Sequence, residues 1–168
     1  MSVYDKTGGD GKTSLLNGNT VSKNSAQIHF EGAADELNSR LGLVKAMITD
    51  NVVQDFLEDI QKTLMIIMAH VSDPLNAQYY LPKNKITVLE KEIDRLSQKL
   101  PKELQFIIPG KNILEAQIHI ARTAARTAER MYVAIIEQQE SLSGALCENA
   151  LSYLNKLSGY LFFLSQSV

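Results

Sequence analysis

The chain has 168 residues, 45% of them hydrophobic, and 17 Lys+Arg against 19 Asp+Glu give a formal charge of −2. These values describe one ordinary globular domain, long enough to bury a core without staples. They exclude the global basic excess that draws a protein to nucleic acid or anionic membrane, so any anion site has to be local.

A single cysteine, Cys147, excludes an intramolecular disulfide and a Cys-rich zinc site, and fits a reducing, cytoplasmic compartment. No apolar run reaches the ~18 residues that span a bilayer. The start, MSVYDKTGGDGKTS, lacks the apolar stretch of a signal peptide.

Residues 1–32 are rich in Gly, Ser, Thr, Asn and Lys and read as loop, with a short extended piece around Ala26–Phe30. From Ala33 the pattern turns helical, with Leu37, Leu41, Val44 and Ile48 at three-to-four-residue spacing. A second helix covers Val52–His70, with Phe56, Ile60, Leu64, Ile67 and Val71 on one stripe. Pro74 and Pro82 bracket a connection that is not continuous helix. A third helix runs from Ile86 to Leu100, where Pro101 closes it. Phe106-Ile107-Ile108-Pro109-Gly110 is an apolar run ending in a turn. A fourth helix spans Asn112–Gln139, with alanines that permit close packing, and after Ser141–Gly144 a fifth spans Ala145–Ser165. The reading is all-α: an antiparallel five-helix bundle (33–168) with an N-terminal glycine-rich loop (1–32).

Three segments carry chemistry. In Thr7-Gly8-Gly9-Asp10-Gly11-Lys12-Thr13-Ser14, glycines let backbone N–H groups converge on phosphate oxygens, with hydroxyls and lysines as further donors. A P-loop does not fit, because Lys6 stands where that pattern needs glycine and no buried strand precedes it. The alternative is a flexible polar tail. Lacking apolar anchors, residues 5–20 are expected to be mobile until a ligand orders them.

In the fourth helix Arg122, Arg126, Glu129 and Arg130 share one face, extended by Glu115 and His119. Guanidinium forks suit phosphate and tolerate partial burial. A solvated charged face is the plain alternative. In the last helix Asn155 sits among apolar neighbours and needs partners if buried. His29 and His70 read as satisfied structural residues, since no second metal ligand stands at useful spacing.

Taken together, these motifs resemble the ATP:cob(I)alamin adenosyltransferases of the propanediol-utilisation type, the group that includes the human mitochondrial enzyme. TGGDGKTSL is similar to the family's Thr-Gly-Asp-x-Gly-x-Thr-Ser-Leu. Val21-Ser22-Lys23 and Asp35-Glu36-Leu37-Asn38-Ser39 follow. Phe106–Gly110 stands for Phe-Ile-Leu-Pro-Gly, and Ala121–Thr123 through Ala128–Arg130 for the arginine-rich helix. Leu154-Asn155-Lys156-Leu157-Ser158-Gly159-Tyr160-Leu161-Phe162 stands for Leu-Asn-Arg-Leu-Ser-Asp-Tyr-Leu-Phe. The motifs occur in family order from Tyr4 to about Leu164.

The resemblance implies a cobalamin adenosyltransferase-like (ferritin-like) bundle, a homotrimer with ATP sites at subunit interfaces, and adenosyl transfer from ATP to cob(I)alamin with release of triphosphate. It implies that Lys6, Thr7, Gly8, Gly11, Thr13, Ser14 and Lys23 hold the ATP phosphates, with Arg126, Glu129, Arg130 and Asn155 as further ATP-binding positions. Arg122 matches an arginine that pairs with Asp35 of the neighbouring subunit. These two and Arg126 are the expected catalytic set. Phe106 matches the aromatic that packs on the corrin and displaces its lower axial ligand. Magnesium travels with the triphosphate, and no metal ligands are assigned. The alternative is a divergent helical trimer that binds nucleotide or corrinoid without transfer. Gly9, Lys111, Thr127, Met131, Lys156 and Gly159 depart from the family's usual residues.

Overall fold

A computed structural model describes residues 9–100, 107–138 and 145–168, with the side chains of the last segment from Glu148 onward. Lys6, Thr7, Gly8 and Phe106 therefore lie outside the described residues. A two-stranded hairpin comes first: β1 (Lys12–Ser14) pairs antiparallel with β2 (Thr20–Ser22), Thr13 opposite Val21. Five helices follow: α1 (Ala26–Met47), α2 (Asn51–Ser72), α3 (Lys83–Ser97), α4 (Ile113–Gln138) and α5 (Ala145–Gln166). A 3-10 turn at Ala77–Tyr79 lies in the Pro74–Pro82 connection.

Helix α1 packs between α2 and α4, α4 between α1 and α5, and α5 between α4 and α3. Lys85 on α3 reaches Asp59 on α2, and Phe56 on α2 packs against Tyr160 on α5 at 5.2 Å between centroids. The core sits inside the ring so closed. Alanines Ala121, Ala125 and Ala128 are fully buried on α4, and beside them Phe30 meets Tyr132 edge-on at 5.2 Å. Small side chains let α1 and α4 approach while the aromatic pair fills the wider end. Asp50 caps α2 by accepting from Val52 N at 2.9 Å, and Asn112 caps α4 by accepting from Glu115 N at 2.8 Å.

Two sequence expectations are corrected. Ala26–Phe30 is helical, not extended, because Phe30 is the first member of the buried stripe Phe30, Ala34, Leu37, Leu41, Val44. Helix α1 runs through Gly32, which faces open space and strains nothing. The loop is also anchored. Leu15 is buried, and Leu16 N donates to Ser72 Oγ at the end of α2 at 2.8 Å.

Candidate functional site

Hairpin geometry follows from its polar and glycine residues. Gly11 (φ +80°) and Gly18 (φ +83°) take left-handed backbone that L side chains rarely adopt. Asp10 Oδ1 accepts from Lys12 N at 3.1 Å, an Asx turn that starts β1. Lys23 N donates to Gly11 O at 2.8 Å and closes the hairpin's base. The acid shifted from position 9 to Asp10 thus shapes the turn.

Between this hairpin, α1 and α2 lies a cleft of about 720 Å³. Thr13, Ser14 and Lys23 line it from the hairpin, Asp35 and Glu31 from α1, and Met65, Met68 and Ser72 from α2. Four residues expected to act on ATP or its neighbour, Thr13, Ser14, Lys23 and Asp35, therefore share one wall system. Gly11 sits beside them at the foot of β1.

Burial raises the Glu31 carboxyl above its ordinary value, and a hydrogen bond from Ser72 opposes the shift. Ser72 therefore accepts from Leu16 N and donates to Glu31, clamping hairpin, α2 and α1 together. Sequence reading missed Glu31, Ser72 and the two methionines. Met65 and Met68 fall beside the stripe Leu64, Ile67 and Val71, and nothing in their spacing marks a cleft.

The second group lies on α4 and α5. The stripe Glu115, His119, Arg122, Arg126, Glu129, Arg130 is buried at its start and open at its end: Glu115 and His119 are buried, whereas Arg126 and Arg130 are exposed. Asn155 Nδ2 donates to Glu129 Oε1 at 2.8 Å, and Arg130 Nη2 donates to Thr127 Oγ1 at 3.1 Å. Asn155 is thus exposed and joins two helices. Arg122 Nε donates to His119 Nδ1 at 3.2 Å.

Among the described residues these two groups do not meet within one chain. The cleft is lined by the hairpin, α1 and α2 alone. Arg122 and Asp35 form no ion pair among the described residues. His70 is buried against Tyr80, and burial lowers its pKa; His29 is exposed and bonded to Asn24. Among the described residues no three His, Cys, Asp or Glu side chains converge to hold a metal. No helix there is long and apolar enough to cross a membrane.

Known proteins resemble this chain in sequence and fold. The chain is 34% identical over its whole length to a corrinoid adenosyltransferase of Bacillus subtilis, covering 86% of that protein. It is 30% identical to one of Citrobacter freundii over 98% of the chain and 93% of that protein. It spans about half (49%) of the Salmonella typhimurium corrinoid adenosyltransferase PduO at 32% identity.

Among solved structures, two Lactobacillus reuteri PduO-type ATP:corrinoid adenosyltransferases superpose over nearly all of the chain. An arginine-to-lysine variant complexed with ATP gives a TM-score of 0.87 at 29% identity, covering 98% of this chain and 93% of that one. A phenylalanine-to-alanine variant complexed with cobalamin and ATP gives 0.86 at 28%, covering 97% and 91%. The cobalamin adenosyltransferase family model matches residues 3–168, and the chain belongs to that family.

Proposed function

We propose that this chain transfers the 5′-deoxyadenosyl group of ATP to cob(I)alamin, giving adenosylcobalamin and triphosphate. The observation that carries the reading is the split site. A largely apolar cleft that carries Thr13, Ser14, Lys23 and Asp35 lies on one side of the chain, and an arginine stripe tied to Asn155 lies on another. Each is half of a triphosphate site, and a second copy of the chain completes it. In a homotrimer, Arg122 of one subunit faces Asp35 of the next, and Arg126, Glu129, Arg130 and Asn155 close over nucleotide held by the neighbour's hairpin.

The chemistry asks little of the protein in covalent terms. The Co(I) centre of the substrate is the nucleophile: a Co–C5′ bond forms, the C5′–O bond breaks, and the electron pair leaves with triphosphate. No general base is needed, and the corrinoid carries the hard step. The protein holds C5′ in line and stabilises the departing polyanion. Thr13 and Ser14 hydroxyls, Lys23, Arg126 and Arg130 are the donors for that charge.

Mg²⁺ would be held by the phosphate oxygens of ATP and would share in neutralising their charge. Phe106 is the apolar wedge beside the corrin that keeps a lower ligand off cobalt. A cytoplasmic setting supplies the reductant for Co(I).

The test is complementation between inactive variants. Lys23→Ala damages the hairpin half and Arg126→Ala the helical half. Mixed and reassembled one to one, the two regain activity in roughly a quarter of their sites, because a cyclic interface takes one half from each neighbour. No recovery on reassembly would contradict a site shared between subunits.

A further inference from the structure

We propose that Glu115 and His119 are positioning residues that lash Arg122 to the backbone following Phe106; the inference rests on the adenosyl-transfer reading above. Four groups form one continuous chain of contacts. Gly110 N and Lys111 N donate to Glu115 Oε2 at 2.8 and 3.2 Å. Glu115 Oε1 lies 3.0 Å from His119 Nε2. His119 Nδ1 accepts from Arg122 Nε at 3.2 Å.

The arrangement fixes protons as well as positions. A guanidinium N–H only donates, so His119 Nδ1 carries a lone pair and the ring proton sits on Nε2, which lies against the carboxylate without an aligned hydrogen bond to it. Both side chains are buried, with relative exposures of 2% for Glu115 and 5% for His119. Burying a carboxylate and an imidazole costs free energy unless their partners are specific.

Helix capping alone does not explain that cost. Asn112 already caps α4 through Glu115 N at 2.8 Å. The buried pair instead spends its acceptors on the loop and on Arg122. The inward bond takes Arg122 Nε, and no bond to its two terminal nitrogens occurs among the described residues. They are left for an acceptor outside the chain, the role given to Asp35 of the next subunit. Gly110 stands four residues after Phe106, at φ +123°, so the turn that ends the corrin-side segment hangs on the same carboxylate. Glu115 and His119 thus hold the nucleotide-side arginine and the corrin-side loop in one fixed relation.

A double-mutant cycle tests this. His119→Ala lowers the turnover number about tenfold, the effect of one well-aligned charge-assisted bond, with the KM for ATP little changed. In an Arg122→Ala background, assayed at protein concentrations where light scattering shows the trimer intact, the same substitution causes no further loss, because both act through one guanidinium. His119→Gln, which returns an acceptor for Arg122 Nε, recovers part of the activity. Thermal melts and trimer mass identify any variant that loses activity by unfolding, and the His119→Gln pair of the cycle then carries the test.

Multiplicative losses in the double variant would overturn the relay while leaving adenosyl transfer in place. So would wild-type turnover in His119→Ala where Arg122→Ala is impaired. Failure of the unmodified protein to form product would overturn the reading beneath it, and the relay with it.

Discussion

Asn155 on α5 donates its side-chain amide to Glu129 on α4 at 2.8 Å, so two helices are joined at the edge of the arginine stripe. The bond presents a neutral donor to a carboxylate. Asn155→Asp sets two carboxylates against each other and pushes Glu129 out of register with Arg126 and Arg130. The expected result is about tenfold weaker ATP binding by calorimetry, near 1.4 kcal/mol, with little change in melting temperature.

Glu31 gives a pH signature. Its carboxyl is raised above 4.5 in the folded chain, chiefly by burial, so the folded state binds more proton than the unfolded state just above that pH. Its contribution to stability is fully present below pH 4.5 and is lost as pH rises through the folded value. Glu31→Gln removes the titration. Thermal melts should therefore show the variant gaining on wild type as pH rises from 4 to 7. An unchanged difference across that range would contradict the burial.

The proposed trimer provides the third expectation. Light scattering should give three times the 18.7 kDa chain mass. In that assembly Arg122→Ala leaves the proposed partner Asp35 unpaired, a loss of roughly 3–5 kcal/mol where such a pair is well desolvated. The visible outcome is dissociation on dilution, and a monomeric wild type would refute the assembly.

Thr127 stands where the family usually has arginine, and its hydroxyl accepts from Arg130 Nη2. Thr127→Arg adds a guanidinium beside the phosphates and should raise turnover or tighten ATP binding by roughly tenfold. Lys111, an extra cation relative to the family pattern, is no substitute within one chain. It bonds Val168 O beyond the start of α4, and the stretch from Ile113 to Thr127 alone spans about 21 Å along the axis at 1.5 Å per residue. Lys12 on the hairpin is the remaining rival. A neutral Thr127→Arg with a damaging Lys12→Ala would assign the charge to it.

Much of this molecule was legible in its residues because helical burial leaves a periodic trace. Leu37, Leu41 and Val44 marked α1 correctly, but its start was misread. Gly32 and the polar run before it look like loop, while Phe30 one turn earlier is what extends the buried stripe. The hairpin left no such trace, for its strands have three residues each and their pairing depends on Gly11, Gly18 and backbone bonds. Of the site, the arginine stripe was legible from spacing, and its proposed link to the cleft residues rests on family resemblance. Burial of Glu115 and His119 was not legible. They continue the polar stripe, and only the fold brings the Gly110 and Lys111 N–H groups onto Glu115.

Adenosyl transfer itself is tested most directly by an anaerobic assay with ATP, Mg²⁺ and chemically reduced cobalamin. Absorbance follows conversion of cob(I)alamin to the Co–C bonded product while the phosphate products are separated. The expected result is adenosylcobalamin and triphosphate in equal amounts, abolished by Arg126→Ala. ATP and corrinoid bound without a Co–C bond, or phosphate released without adenosylcobalamin, would contradict the account.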